Sequence, residues 1–423
     1  MTNLLLPRRT LLAVSGSGLA SLLASRLVSP AAALAAPASA APAKTAPKSC
    51  IVLWLNGGPS HLDTFDPKPG QPTGGSFKAI KTRAKGVELS EHLPGIADVA
   101  DKLAFVRMTS KEGNHQRARY LVHTGYAPNP TVVHPSIGGW ASHELGDKAS
   151  ELPQFVSING PSPGAGFLGV QHGPFTIQKA GTPPANLTLA RNVDDKRFDA
   201  RLAALAAMEA DFEKRTGDPQ VVGRQRVYEQ STRLMRSSKT KAFDLSEEGE
   251  KITKLYGDTD FGRGCLLARR LVEGGARVVE VVLDGWDTHK DGFERIKKLS
   301  SALDAGFSGL VRDLADKKLL DSTLIVCMGE FGRTPKINDD EGRDHYPQAW
   351  SAVLAGGGVK GGVVRGKTDA TGAKVVEAPT TVPDLSATIF TALGVAPDKS
   401  FSTPSGRPIS ITDGGAPARD LLK

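Results

Sequence analysis

The sequence has little cysteine, few aromatics and no long apolar run, and each scarcity excludes a class of protein. Three cysteines in 423 residues (Cys50, Cys265, Cys327) allow one bridge at most. They exclude a disulfide scaffold, and no pair has metal-ligand spacing. Aromatics are 6% and the basic residues are scattered among acids. That excludes the clustered basic, stacking surface of a nucleic-acid binder. No segment reaches the ~20 apolar residues of a membrane span, so no stable transmembrane anchor is expected. The net charge of +8 is then a weak clue to partners. Three of its charges, Arg8, Arg9 and Arg26, lie in residues 1–35, which carry no acid.

What is present at the N-terminus reads as an address. Arg8 and Arg9 precede a short apolar run, Leu11 to Val14, diluted further on by Ser and Gly. The run ends in the small-x-small words Ala33-Leu34-Ala35 and Ala38-Ser39-Ala40, of the cleavage form. Pro7-Arg8-Arg9-Thr10-Leu11-Leu12 resembles a twin-arginine signal, which a receptor reads. The expectation is export to the periplasm or beyond by the twin-arginine translocase. Residues 1–35 form the signal and 36–48, rich in Ala and Pro, a tether. That route carries folded proteins, often with a cofactor loaded, and hints at a metal.

The rest, 49–423, reads as one α/β domain. Five apolar runs fit strands buried on both faces: 50–55, 103–107, 277–283, 322–328 and 350–355. Amphipathic helices are predicted over 195–214, around 266–272, over 291–317 and from 383 to 393. Alternating buried strands and helices imply a mainly parallel sheet. The charged helical stretch 195–262 reads as an insertion beside the sheet. Gly356-Gly357-Gly358 reads as a turn, since no helix follows it.

Chemistry-bearing residues gather next to these strands. Asn56, Ser60, His61 and Asp63 follow the first, and His115 and Arg117 the second. Asp287 and His289 follow the third, Glu330 and Arg333 the fourth, and His345 precedes the fifth. In such sheets ligands bind outside the carboxyl ends of the strands. Carboxylates with neutral imidazoles suit a hard or borderline divalent metal. Each residue also has an ordinary explanation. Asp287 would cap the helix starting near 291, Glu330 would pair with Arg333, and His345 would be a surface histidine. Their shared placement is what argues for one site. His92, His134, His143 and His172 lack such a setting and read as structural.

These words resemble the DUF1501 family, grouped with the alkaline phosphatase/sulfatase superfamily. They are the stretch from Leu55 through Asp63 and Asp66 to Pro69, Ala268 to Gly275, Gly285 to His289, and Gly329 to Pro335. The resemblance runs from about residue 48 to the end. It implies an alkaline phosphatase-like three-layer sandwich with a two-metal site at strand ends. On it, Asn56 stands where the first metal Asp is expected. His115 stands at the nucleophile position, with Arg119 as its arginine. Asp287 and His289 look like a metal Asp and His, Glu330-Phe331 replaces Asp-His, and His345 looks like the late histidine. Asn56 and Phe331 weaken the second metal position, and His115 removes the usual nucleophile.

The reading implied is an exported metal-dependent hydrolase of phosphate or sulfate esters. Its metal set is Asp287, His289 and His345, with Asn56, Asp63 and Glu330 available to complete it. His115, Arg119 and Arg117 would be catalytic, and Ser60, His61 and Arg333 would bind substrate. One or two divalent ions are implied, Zn or Mn ahead of Ca or Mg. The substrate would be a small-molecule or polysaccharide ester. The rival is a non-catalytic binding or scaffold protein on a degenerate hydrolase fold.

Overall fold

Ser49–Asn56 (β1) buries seven consecutive residues, because both its faces are covered. The computed structural model describes residues 49–423 apart from 183, 185, 186, 218 and 219. The signal and tether expected over 1–35 and 36–48 lie outside the described residues. Along β1, Ile51, Leu53 and Leu55 enter one hydrophobic core and Cys50, Val52 and Trp54 the other. This period-two alternation makes a sheet between two helical layers.

The principal elements follow β1 in chain order. They are β2 (Leu103–Met108), α1 (His115–Thr124), α2 (Ile137–Leu145), β3 (Phe155–Ile158) and β4 (Phe175–Ile177). Next come α3 (Asp195–Thr216), α4 (Gln220–Arg236), α5 (Asp260–Glu273), β5 (Val278–Asp284) and α6 (Gly292–Asp316). Last are β6 (Thr323–Met328), β7 (Trp350–Gly356), β8 (Val363–Arg365) and α7 (Val382–Ala392). Cys265 of α5 and Phe307 of α6 fill the first core. Val122 of α1, Trp140 of α2 and Phe390 of α7 fill the second.

The sheet order is β8-β2-β7-β6-β1-β5-β3-β4. Every pairing is parallel except those of β7, which is antiparallel to β2 and β6. The expected α/β sandwich with a mainly parallel sheet is therefore what the chain forms. The reversal of β7 matters for the site. Strands β1, β2, β5 and β6 end at one edge, and β7 begins there. The loop preceding β7 thus joins the loops that follow the other four.

The 195–262 stretch is helical, but α3 buries no residue. Its predicted apolar stripe is only half covered, and Met208 is 71% exposed. Helix α4 supplies its partner, with Arg236 lying 5.9 Å over the Phe198 ring. Among the described residues no helix is long and apolar enough to cross a membrane. The three cysteines are free and buried.

Candidate metal centre

The β1 and β5 ends are neighbours in register, Asn56 beside Asp284. The Trp286 N–H then donates to the Asn56 carbonyl at 3.1 Å, carrying the pairing past the strands. Gly57 has φ +113°, and a Cβ there would strike the Asp287 backbone nitrogen. Glycine is required for this close approach, which brings Asp287 against the first loop. Beyond β6, Gly332–Arg333 pairs antiparallel with His345–Tyr346, placing His345 opposite Arg333. His115 is the first residue of α1, whose N-cap Asn114 accepts from the Arg117 N–H.

One carboxylate oxygen gathers these loops. Asp287 Oδ1 lies 3.1 Å from His289 Nε2, 3.3 Å from His345 Nε2 and 3.5 Å from His115 Nε2. Ligand atoms of His115, Asp287 and His345 all lie within 4.8 Å of one another. The far nitrogen of each imidazole is tied to an acceptor. His115 Nδ1 donates to Glu330 Oε1 at 2.8 Å and His289 Nδ1 to Asp344 Oδ1 at 2.9 Å. His345 Nδ1 donates to the Gly113 carbonyl at 2.9 Å. With Nδ1 of each ring on a carbonyl or carboxylate, each Nε2 points toward Asp287, and those of His289 and His345 lie 3.0 Å apart.

Buried chemistry surrounds this cluster. Glu330 is buried and also accepts from the Gly57 N–H at 2.9 Å. Phe331 packs beside His115 and His345, with ring centroids 4.9 and 4.7 Å away. Arg333 is fully buried. It donates from Nε to the Gly58 carbonyl at 2.9 Å and from Nη1 to the Arg343 carbonyl at 3.1 Å. Its Nη2 reaches the Gly57 carbonyl and, at 2.5 Å, Asp287 Oδ1. Its Nη1 also stands 3.3 Å from His289 Nε2.

The charges follow from these contacts. Partial burial would raise the Asp287 carboxyl. The Arg333 hydrogen bond and charge, with His115 and His289, overcome this and bring it to about 2. The Glu330 hydrogen bond raises His115, against partial burial. Burial first, then the charges of Arg333 and His115, lowers His345.

The donor set fits a divalent metal on two observations. His115 Nε2 is buried and has no hydrogen-bond partner. The Asp287-to-imidazole separations of His115 and His345, 3.5 and 3.3 Å, match the spacing of about 3.3 Å between ligands of a tetrahedral ion with bonds near 2 Å. Asp287 and His289 remain roughly half exposed, so the centre opens to solvent.

Other expected residues are placed elsewhere. Asn56 donates to Asp284 Oδ1 at 2.8 Å and accepts from Trp54 Nε1 at 3.2 Å, which uses both ends of its amide. Asp63 is buried in a two-point ion pair with Arg343, at 2.8 and 3.0 Å. Ser60 is buried and accepts from the Asp63 N–H, and buried His61 meets the Gly372 carbonyl at 2.8 Å. Arg117 pairs with Glu112 at 2.6 Å, and Arg119 donates to the Pro161 carbonyl. Asp287 does not cap α6, whose N-cap is Asp291. His134 stacks on Tyr126 with centroids 4.2 Å apart. Sequence reasoning missed Asp344 and Arg343. Both sit beside His345 in the 342–346 word, which was the available signal.

The fold and site together define an α/β sandwich with a histidine-carboxylate centre at the carboxyl edge of its sheet. Residues 47–422 match the family described as "Protein of unknown function (DUF1501)", and the chain belongs to that family. No curated protein matches the chain. Among solved structures, it is similar to the lipoteichoic acid synthase LtaP from Listeria monocytogenes. Identity is 10%, the match covers 86% of this chain and 74% of that one, and the TM-score is 0.35. It is also similar to the PsFucS1 sulfatase from Pseudoalteromonas sp., at 13% identity, covering 83% and 68%, with TM-score 0.36. A protein in the alkaline phosphatase superfamily from Vibrio parahaemolyticus matches at 12% identity, covering 84% and 68%, with TM-score 0.33. At such scores these likenesses bring no activity to the chain.

Proposed function

We propose that the chain is an exported hydrolase of phosphate or sulfate esters, working with a divalent metal held by His115, Asp287 and His345. The observation that carries this reading is the orphaned, inward-facing Nε2 of His115 beside Asp287 and His345. A bound Zn(II) or Mn(II) supplies Lewis acidity toward the ester oxygen. Mixed Asp/His donors suit those ions better than Ca or Mg. Glu330 and the Gly113 carbonyl keep the Nδ1 protons of His115 and His345, and so hold both rings in the ligating orientation.

Arg119 lies four residues after His115, on the same face of α1. Its guanidinium donates to the Pro161 carbonyl, and to serve a developing oxyanion it would have to leave that contact. Arg117, already paired with Glu112, is the lesser contributor. Ser60 and Thr64 are buried in their own loop, which argues against either as nucleophile. The overall reaction adds water across the ester bond, giving an alcohol, which takes one proton, and the acid anion. Export through the twin-arginine translocase, on the Arg8-Arg9 signal, would place this activity outside the cytoplasm, on a small-molecule or polysaccharide ester.

A second reading, a metal-stabilised binding protein, is favoured by Asn56 and Phe331 in place of ligands. Aryl phosphate and aryl sulfate esters, assayed with Zn, Mn, Ca and Mg in turn, separate the two. The hydrolase reading expects turnover with Zn or Mn that His345→Ala abolishes. Metal bound without turnover on any ester would favour the binding protein.

A further inference from the structure

A cleft of about 830 Å³, the size of a small-molecule pocket, opens beside β8 and β2, and none of the histidine centre's residues lines it. Two antiparallel ribbons wall it. One pairs Ala79–Lys81 with Glu88–Ser90, the other Lys367–Thr368 with Val375–Glu377. Its floor is built from buried groups. Asp66 Oδ1 accepts from Lys68 Nζ at 3.0 Å and lies 3.1 Å from Arg107 Nη2, and the Thr368 hydroxyl donates to Oδ2 at 2.5 Å. Arg107 also donates to the Phe65 carbonyl and the Ser351 hydroxyl, which fixes its guanidinium. Burial would raise the Asp66 carboxyl, but the facing cations, Arg107 first, hold it below its ordinary value. One ionised carboxylate therefore serves two cations, and the floor keeps a positive charge.

The rim adds to it. Lys367 pairs with Glu377 at 3.3 Å, whereas Lys81 and Lys85 are exposed and pair with no acid among the described residues. Glu88 stands opposite Lys81 in the ribbon, yet the two form no ion pair. Five cations thus face three carboxylates across one concave surface, where walls of low polarisability concentrate the field. The remaining wall is apolar, from Ala84, Val87 and Val364, and Val364 is 41% exposed. We infer that this cleft binds a small organic anion carrying two or more oxyanion groups. Lys68 and Arg107 on the floor attract one group, Lys81 and Lys85 on the rim attract the other, and the carbon skeleton covers Val364. An inorganic ion would satisfy the charge but leave that apolar wall wet. The site stands independently of the metal reading, since it shares no residue with it.

The test is fluorescence anisotropy of pyranine, an aromatic trisulfonate, titrated with the folded full-length protein at low salt. The wild type is expected to bind it, and Lys81→Gln/Lys85→Gln to bind it about tenfold more weakly, since two exposed charges are removed. Both positions are on the surface, so the fold is kept. Lys297→Gln/Lys298→Gln removes the same charge from exposed positions of α6 and is expected to bind like the wild type. So is His345→Ala, which alters the histidine centre alone. Inorganic sulfate is expected to displace the dye no better than chloride at the same ionic strength. No binding by the wild type, or equal weakening in both lysine pairs, overturns the inference, the second because net charge alone would then hold the dye. Loss of binding in His345→Ala overturns it in favour of the centre. Displacement by sulfate beyond that by chloride overturns the organic ligand in favour of an inorganic one.

Discussion

His345 Nε2 stands 3.3 Å from Asp287 Oδ1 across 58 residues of chain. The contact exists because β7 runs against its neighbours. A parallel β7 would start at the opposite edge of the sheet and carry His345 away from Asp287. The same relationship makes the ribbon pairing of His345 with Arg333 part of the centre.

Glu330 holds His115 through Nδ1 and also accepts the Gly57 N–H. Glu330→Gln keeps the shape but loses the carboxylate that fixes the imidazole proton. Metal affinity should fall about 10–100-fold with the fold retained. Competition titration of Zn(II) with a chelator measures it, and unchanged affinity would remove Glu330 from the centre.

Asp63 and Arg343 form an ion pair in which both side chains are almost fully buried. Arg343→Met leaves the Asp63 charge without its partner. The expected destabilisation is about 3–5 kcal/mol, because an uncompensated buried charge remains. Thermal or denaturant unfolding reads this directly. A loss under about 1 kcal/mol would show that Asp63 finds other partners or is protonated.

His61 supplies a pH dependence. Burial lowers it from its ordinary 6.5 to about 4, so it is neutral in the fold. The unfolded chain binds the proton more tightly, so stability falls as pH drops from about 6.5 to about 4. The part due to His61 is about 3 kcal/mol, fully present above that window. His61→Gln, which keeps a donor for the Gly372 carbonyl, should flatten this slope. Denaturant melts across the window compare the two proteins, and equal slopes would contradict the assignment.

Much of the fold was legible because buried parallel strands are continuous apolar runs. The five predicted strands lie within a residue or so of β1, β2, β5, β6 and β7, since burial on both faces leaves no polar break. The site was legible only as a set of loops. Which imidazole faces which acceptor depends on sheet order and on the reversal of β7, and neither is written in local spacing. Asp344 illustrates the limit. It lies next to His345, yet its role comes from His289, 55 residues earlier. Phe331 read as a lost histidine, whereas its ring packs against both His115 and His345.

The central claim is that His115, Asp287 and His345 hold a divalent ion. Elemental analysis of protein recovered from its own export route, with His115→Ala and His345→Ala alongside, tests it most directly. The account predicts about one equivalent of transition metal in the wild type and close to none in either variant. A metal-free wild type, or variants with wild-type content, would contradict it.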